Sequence, residues 1–239
     1  MAAFNMPRTL ACLLILVSIS LIGLSNAQEQ KKQQGEQQGE EVKGTSFTAI
    51  SLSSLPYENI YYRKGKEFIK IEWRNGRRSI AYALDEAKPF EVFTDHEDPK
   101  NPYLLIGKAS LVSGTRKMLY FFRENGSAKE GALPLSLYGI DDSETIFPDS
   151  SYRFINFVNV PLVVDFDQKK RFLIKPGKPI VHKLNLSKAG AFTPFVLRDT
   201  KGKVLGGTRL FSHATNREMV LIFPPKKGSK RMDIRFFSD

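Results

Sequence analysis

Cysteine is nearly absent: Cys12 is the only one in 239 residues. It lies inside an N-terminal apolar run. A chain trimmed of that run has no disulfide, no thiol nucleophile and no thiolate metal ligand. Histidine is scarce too, limited to His96, His182 and His213. No H-E-x-x-H occurs, which argues against a zincin, and no G-x-S-x-G, which argues against an α/β-hydrolase. "VLGGTRL" (204–210) lacks the Gly-Lys-Ser/Thr of a phosphate loop. A blue-copper centre needs the missing cysteine. Helical spacing is absent beyond the N-terminal run. The sequence therefore predicts no catalytic residues and no cofactor.

Residues 1–27 read as a signal peptide. Arg8 supplies a weakly positive start, "TLACLLILVSISLIGL" (9–24) is uncharged and mostly apolar, and "SNA" (25–27) offers small residues at Ser25 and Ala27. The run is shorter than the roughly 20 residues a spanning helix needs, so no transmembrane helix is expected in the mature chain. Residues 28–45, "QEQKKQQGEQQGEEVKGT", hold one aliphatic residue, Val42, and read as a disordered Gln/Glu-rich tether. The expected location is exported, periplasmic or extracellular. The net charge of +11 favours anionic partners such as an anionic cell-envelope polymer or protein. Export makes nucleic acid an unexpected partner.

From residue 46 onward, short runs of Phe, Ile, Val, Leu and Tyr alternate with turns bearing Gly and Pro. In "EFIKIEW" (67–73) a period of two puts Ile69, Ile71 and Trp73 on one face. "RNG" (74–76) then predicts a hairpin, with "RSIAYAL" (78–84) returning. "RFINFVNV" (153–160), "LVVDFD" (162–167), "RFLI" (171–174) and "PIVHKL" (179–184) continue as strands. Strands this short, broken every 8–12 residues or so, indicate a sandwich or barrel. Eighteen Phe can supply apolar cores without disulfides.

The chain also resembles itself. "KPFEVFTD" (88–95) matches "TPFVLRD" (193–199), and "LLIGKASLV" (104–112) matches "VLGGTRLF" (204–211). "TRKMLYFF" (115–122) matches "NREMVLIF" (216–223), setting Arg116 against Arg217. "ENGS" (124–127) and "LPLSLYGID" (133–141) match "KKGS" (226–229) and "MDIRFFSD" (232–239). The order is collinear, which predicts an internal duplication. The expected fold is all-β, with two tandem antiparallel β-sandwich domains at 46–140 and 150–239. The connector, 141–149, carries Ile146, Phe147 and Pro148, which can dock between the domains. The run "MVLIF" (219–223) predicts a strand buried on both faces.

Lysine and arginine gather around glycines in turns. The candidate residues for binding an anionic partner are Lys64, Lys66, Arg77, Arg78, Lys201, Lys203, Lys226, Lys227, Lys230 and Arg231. Charged tips also keep hairpins solvated and discourage edge pairing. The loop "DHEDPKNP" (95–102) offers Asp95, His96 and Asp98 as candidate ligands for a hard cation, although the EF-hand spacing is missing. A solvated, proline-stiffened loop is the favoured reading of it. His182 alternates in phase with Ile180 and reads as a strand residue.

"SYRFINFVN" (151–159), "RFLIKPGKPIVHKL" (171–184) and the approach "DDSETIFPDSSYRFIN" (141–156) resemble exported bacterial proteins of uncharacterised role with tandem β-sandwich domains. The resemblance implies fold and export, and it carries over no catalytic residue. The expected function is a non-catalytic exported binding or structural protein of the cell envelope. The alternatives are an envelope carbohydrate-active hydrolase with dispersed carboxylates and a Ca-assisted adhesion module using the 95–98 loop.

Overall fold

A computed structural model describes residues 44–73, 77–85, 89–112, 114–126, 131–167, 170–184, 190–211 and 215–238. The signal peptide, most of the tether and the Asn75-Gly76 turn of the sequence analysis lie outside these residues. Among the described residues there are sixteen strands and no helix. The first eight are β1 (Ser46–Ser51), β2 (Tyr61–Lys64), β3 (Glu67–Lys70), β4 (Tyr82–Ala83), β5 (Phe90–Asp95), β6 (Tyr103–Ala109), β7 (Lys117–Glu124) and β8 (Leu135–Asp141). The rest are β9 (Ser151–Asn156), β10 (Leu162–Phe166), β11 (Lys170–Ile174), β12 (Ile180–Lys183), β13 (Phe192–Arg198), β14 (Val204–Phe211), β15 (Arg217–Phe223) and β16 (Asp233–Ser238).

Strand pairing stays within each half of the chain. The first half forms one sheet in the order β3-β2-β5-β6-β8-β7-β1-β4. The second forms two four-stranded sheets, β11-β10-β13-β14 and β12-β9-β15-β16. The first-half sheet has the same two groups of four, joined by a short parallel contact of Gly107 and Lys108 with Leu135 and Ser136. Seven pairings build the first half. Six of them recur with the same direction in the second. The missing one is the counterpart of β6 with β8. Both halves place a register shift at the same point, between Val92 and Phe93 opposite Gly107 and between Leu197 and Arg198 opposite Gly206. The glycines of "VLGGTRL" therefore sit at a bulge.

The pairings correct the sequence match by one residue. Ser46 opposes Lys117 where β1 meets β7, and Ser151 opposes Arg217 where β9 meets β15. Lys117, not Arg116, thus occupies the position of Arg217, and Leu119, not Met118, that of Met219. A one-residue slip in a strand moves every side chain to the other face. Burial agrees with the corrected alignment. Met118, Tyr120 and Phe122 point into the first-half core, as Val220 and Ile222 point into the second-half core. Leu119 and Phe121, like Met219, Leu221 and Phe223, point the other way, into a third apolar layer.

That third layer joins the halves. It contains Ile50, Leu52 and Ile140 from the first half, Ile155 and the β15 residues from the second, and Phe147 from the connector. "MVLIF" is accordingly buried on both faces. Phe147 docks as expected and is fully buried, whereas Ile146 is exposed. The described residues all fall in one compact unit. The fold is all-β and sandwich-like, but not wholly antiparallel as expected: β1 with β7, β9 with β15 and β6 with β8 pair in parallel.

The predicted hairpin across 74–76 does not form between its flanking strands. β3 pairs back with β2 through the tight turn at Gly65, and β4 pairs with β1. Ile69, Ile71 and Trp73 do share a face against the first-half core. Burial decides the partner instead: Tyr82 and Leu84 join the first-half core, where Tyr82 stacks on Phe47 of β1.

Candidate anion-binding surface

The turn between β13 and β14 is held by one carboxylate. Asp199 Oδ1 accepts hydrogen bonds from the Lys201 and Lys203 amides, each at 2.9 Å. This fixes the backbone and leaves both lysine side chains in solvent. The turn between β15 and β16 carries Lys226, Lys227, Lys230 and Arg231, all exposed, around Gly228 at φ 84°. The two turns meet. The Met232 amide donates to the Leu205 carbonyl at 3.0 Å, and Arg231 lines the same shallow trough as Val204, Leu205 and Arg209. Six of the ten candidate cations thus occupy one end of the second half. Of these, Lys226 reaches a carboxylate, with Nζ 3.7 Å from Asp233 Oδ1.

The other four belong to the first half. Lys64 and Lys66 flank the Gly65 turn, whose amide donates to Asp85 Oδ2 at 2.7 Å. This is the end where β1 begins, since the Leu84 amide donates to the Thr45 carbonyl at 2.8 Å. Arg77 is exposed. Arg78 does not belong with the surface cations. Its guanidinium turns inward and pairs with Asp142. The carboxylate supplies an opposite charge that the solvated tip lacks.

Asp142 is the centre of a charge cluster that the sequence did not reveal. Its side chain is 7% exposed and meets three arginines. Arg153 Nη1 donates to Oδ1 at 3.1 Å, Arg78 donates to both oxygens, and Arg217 Nη2 lies 3.8 Å from Oδ2. Arg217 also donates to the Asp142 and Phe147 carbonyls, each at 3.3 Å. The Phe147 ring lies under two of these cations, 4.1 Å from the Arg153 guanidinium carbon and 5.2 Å from that of Arg217. Burial pulls Arg153 down to about 10, Asp142 opposes that fall, and Arg78 and Arg217 add to it. The cluster ties both halves to the connector. One signal was readable: an arginine inside "SYRFIN", a strand whose every residue is buried.

The 95–102 loop uses its polar groups internally. Asp98 accepts from the Lys100 amide at 2.9 Å and from Asn101 Nδ2 at 3.3 Å. Asp95 accepts from Asn59 Nδ2 at 2.7 Å, and His96 Nδ1 lies 3.1 Å from the Asn101 carbonyl oxygen. Among the described residues no group of three His, Cys, Asp or Glu side chains is placed to hold a metal ion. Asp95, His96 and Asp98 therefore do not converge on one point.

His182 lies on the core side of β12. Its ring meets Phe166 edge-on at 4.9 Å and stacks on Phe172 at 6.1 Å. Burial lowers its pKa, nearby Lys170 lowers it further, and Asp167 opposes. The partly buried carboxylates of Glu91, Asp165 and Asp233 each face Arg or Lys. The Arg171 and Arg198 guanidiniums hold Asp165 down to about 2. Glu91 and Asp165 are neutralised across strands, and Asp233 by Arg235 of its own strand and Lys226 of the adjoining turn.

No helix among the described residues is long and apolar enough to cross a membrane. A comparison with protein-family models finds no match, and a comparison with curated proteins finds none either.

Proposed function

We propose that this chain is an exported, non-catalytic binding protein of the cell envelope, built from two tandem β-sandwich domains that arose by duplication. It contacts an anionic polymer or protein through its basic turns. The observation that carries the reading is the meeting of the 199–203 and 224–231 turns, which gathers Lys201, Lys203, Lys226, Lys227, Lys230 and Arg231 at one end. Exposed charges in one patch act together on a polyanion, and their attraction weakens once the Debye length falls below the spacing between partners, about 10 Å at 0.1 M salt. The recurrence of six strand pairings with matched bulges supports duplication. Lys64 and Lys66, at the Gly65 turn of the first half, contribute less.

Co-sedimentation with purified anionic envelope polymer tests the reading. Binding at low salt that disappears at high salt is expected. No binding at low salt would overturn it.

A further inference from the structure

The strand pairings of the two halves differ at one point, and it leaves an edge open. In the first half the outer side of β6 is covered by β8 at Gly107 and Lys108. In the second half β14 is the last strand of its sheet, and no strand pairs with its outer side among the described residues. β14 and β16 touch only near Leu205, through the Met232 amide. Beyond that contact, Gly207 to Leu210 run along an uncovered margin. An uncovered strand presents a row of backbone donors and acceptors, which is a template for another strand.

The side chains beside this edge specify what can pair with it. Gly206 and Gly207 leave a shallow trough, which Arg209 and Arg231 line. At Gly207 a side chain is excluded, because a Cβ there would lie 2.7 Å from the Phe195 carbonyl oxygen. Arg209 opposes Pro194, and Phe211 opposes Phe192, so both lie on the outer face two residues apart. Phe192 is 64% exposed and packs edge-on against Phe211 at 5.1 Å between centroids. The edge thus offers, in order, a bare backbone, a cation and an aromatic pair. A second copy of the same edge would bring Arg209 and the neighbouring lysines against their own kind, and like charges across a strand pair are destabilising. Like charge disfavours self-pairing, and the cations along the edge favour an acidic strand.

We propose that β14 is an acceptor for an extended acidic peptide of a partner protein, which adds as a further strand. The peptide places a carboxylate beside Arg209 and an apolar side chain two residues away against Phe192 and Phe211. Main-chain hydrogen bonds supply affinity, and these two side chains supply specificity and direction. The site borders Arg231 but rests on the strand edge, not on the attraction of the basic turns to polyanions.

The test uses a synthetic peptide of about nine residues, the length of a long strand. It carries Glu and Val at alternate outer-face positions, with Thr between them. A second peptide has the same composition with two backbone amides N-methylated, and dextran sulfate serves as a polyanion with no peptide backbone. Calorimetry gives affinity, and hydrogen exchange reports protection of residues 204–211. The plain peptide is expected to bind and to protect β14. The methylated one should lose roughly tenfold or more, as removing two hydrogen bonds of ordinary net strength implies. Phe192→Ser removes one ring of the aromatic pair and no charge, so it should weaken the peptide and leave dextran sulfate retention intact. Equal binding of the two peptides, or binding without protection of β14, would mean that cations alone take the ligand and would overturn the proposal. Absence of peptide binding would overturn it too, and retention of dextran sulfate in that case would leave the anion-binding reading standing.

Discussion

Asp142→Asn removes the one carboxylate facing three arginines. Its cost is set mainly by Arg153, whose side chain is 1% exposed. Two of the Arg153 nitrogens, Nε and Nη2, are already buried without a hydrogen-bond partner. Arg78 and Arg217 are each 17% exposed and can swing toward water. Arg153 cannot. Removing one member of a buried pair typically costs about 3–5 kcal/mol, because the other charge stays behind. The expected loss for Asp142→Asn is in that range. Arg153→Met should cost far less, about 0–1 kcal/mol, because a similar volume still packs on Phe147 and Asp142 keeps two arginines. Urea unfolding followed by Trp73 fluorescence and by circular dichroism gives both values. The wild type should unfold in one transition, since the third apolar layer couples the halves. Asp142→Asn should separate the two probes. If it costs under about 1 kcal/mol, or if Arg153→Met costs more than Asp142→Asn, the cluster does not clamp the connector and this reasoning fails.

Phe147→Ala empties the space between Arg153, Arg217 and the third apolar layer and should cost about 3–5 kcal/mol by the same denaturant assay. Gly207→Ala should cost about 1–3 kcal/mol, since the new methyl meets a carbonyl oxygen that cannot swing aside. Acidification should act in two windows. The folded pKa of His182 lies below its ordinary value near 6.5, so its contribution is complete above about 6.5 and is lost as pH falls below that. Asp165, held at about 2, contributes fully above its ordinary value near 3.9 and loses that contribution as pH falls toward 2. Melting temperature against pH should therefore fall in both windows, and His182→Phe should flatten only the upper one.

Much of the fold was legible because local patterns carry it. The alternation in "EFIKIEW" placed Ile69, Ile71 and Trp73 on the core side, and "MVLIF" announced a strand covered on both faces. The repeat was visible but slipped by one residue. Side-chain type matched Arg116 with Arg217, while the faces match Lys117 with Arg217, and only pairing registers separate those choices. The hairpin at 74–76 misled because a turn signal does not say which strand is the better partner. Charge was least legible. Arg78 looked like any other arginine beside a glycine turn, and its partner Asp142 is 64 residues away. The meeting of the 199–203 and 224–231 turns depends on how two sheets are stacked, which no local pattern encodes.

The basic patch is the centre of the functional account, and two charge-reversed proteins test it most directly. One carries Lys201→Glu, Lys227→Glu, Lys230→Glu and Arg231→Glu, at the end where the turns meet. The other carries Lys64→Glu, Lys66→Glu, Lys70→Glu and Lys100→Glu, an equal charge change placed elsewhere. Retention on immobilised dextran sulfate is measured as the salt concentration rises. A localised site requires that the first protein elute at the lowest salt while the second stays close to the wild type. Equal loss in both would show that net charge alone governs binding, and that outcome would contradict a localised site.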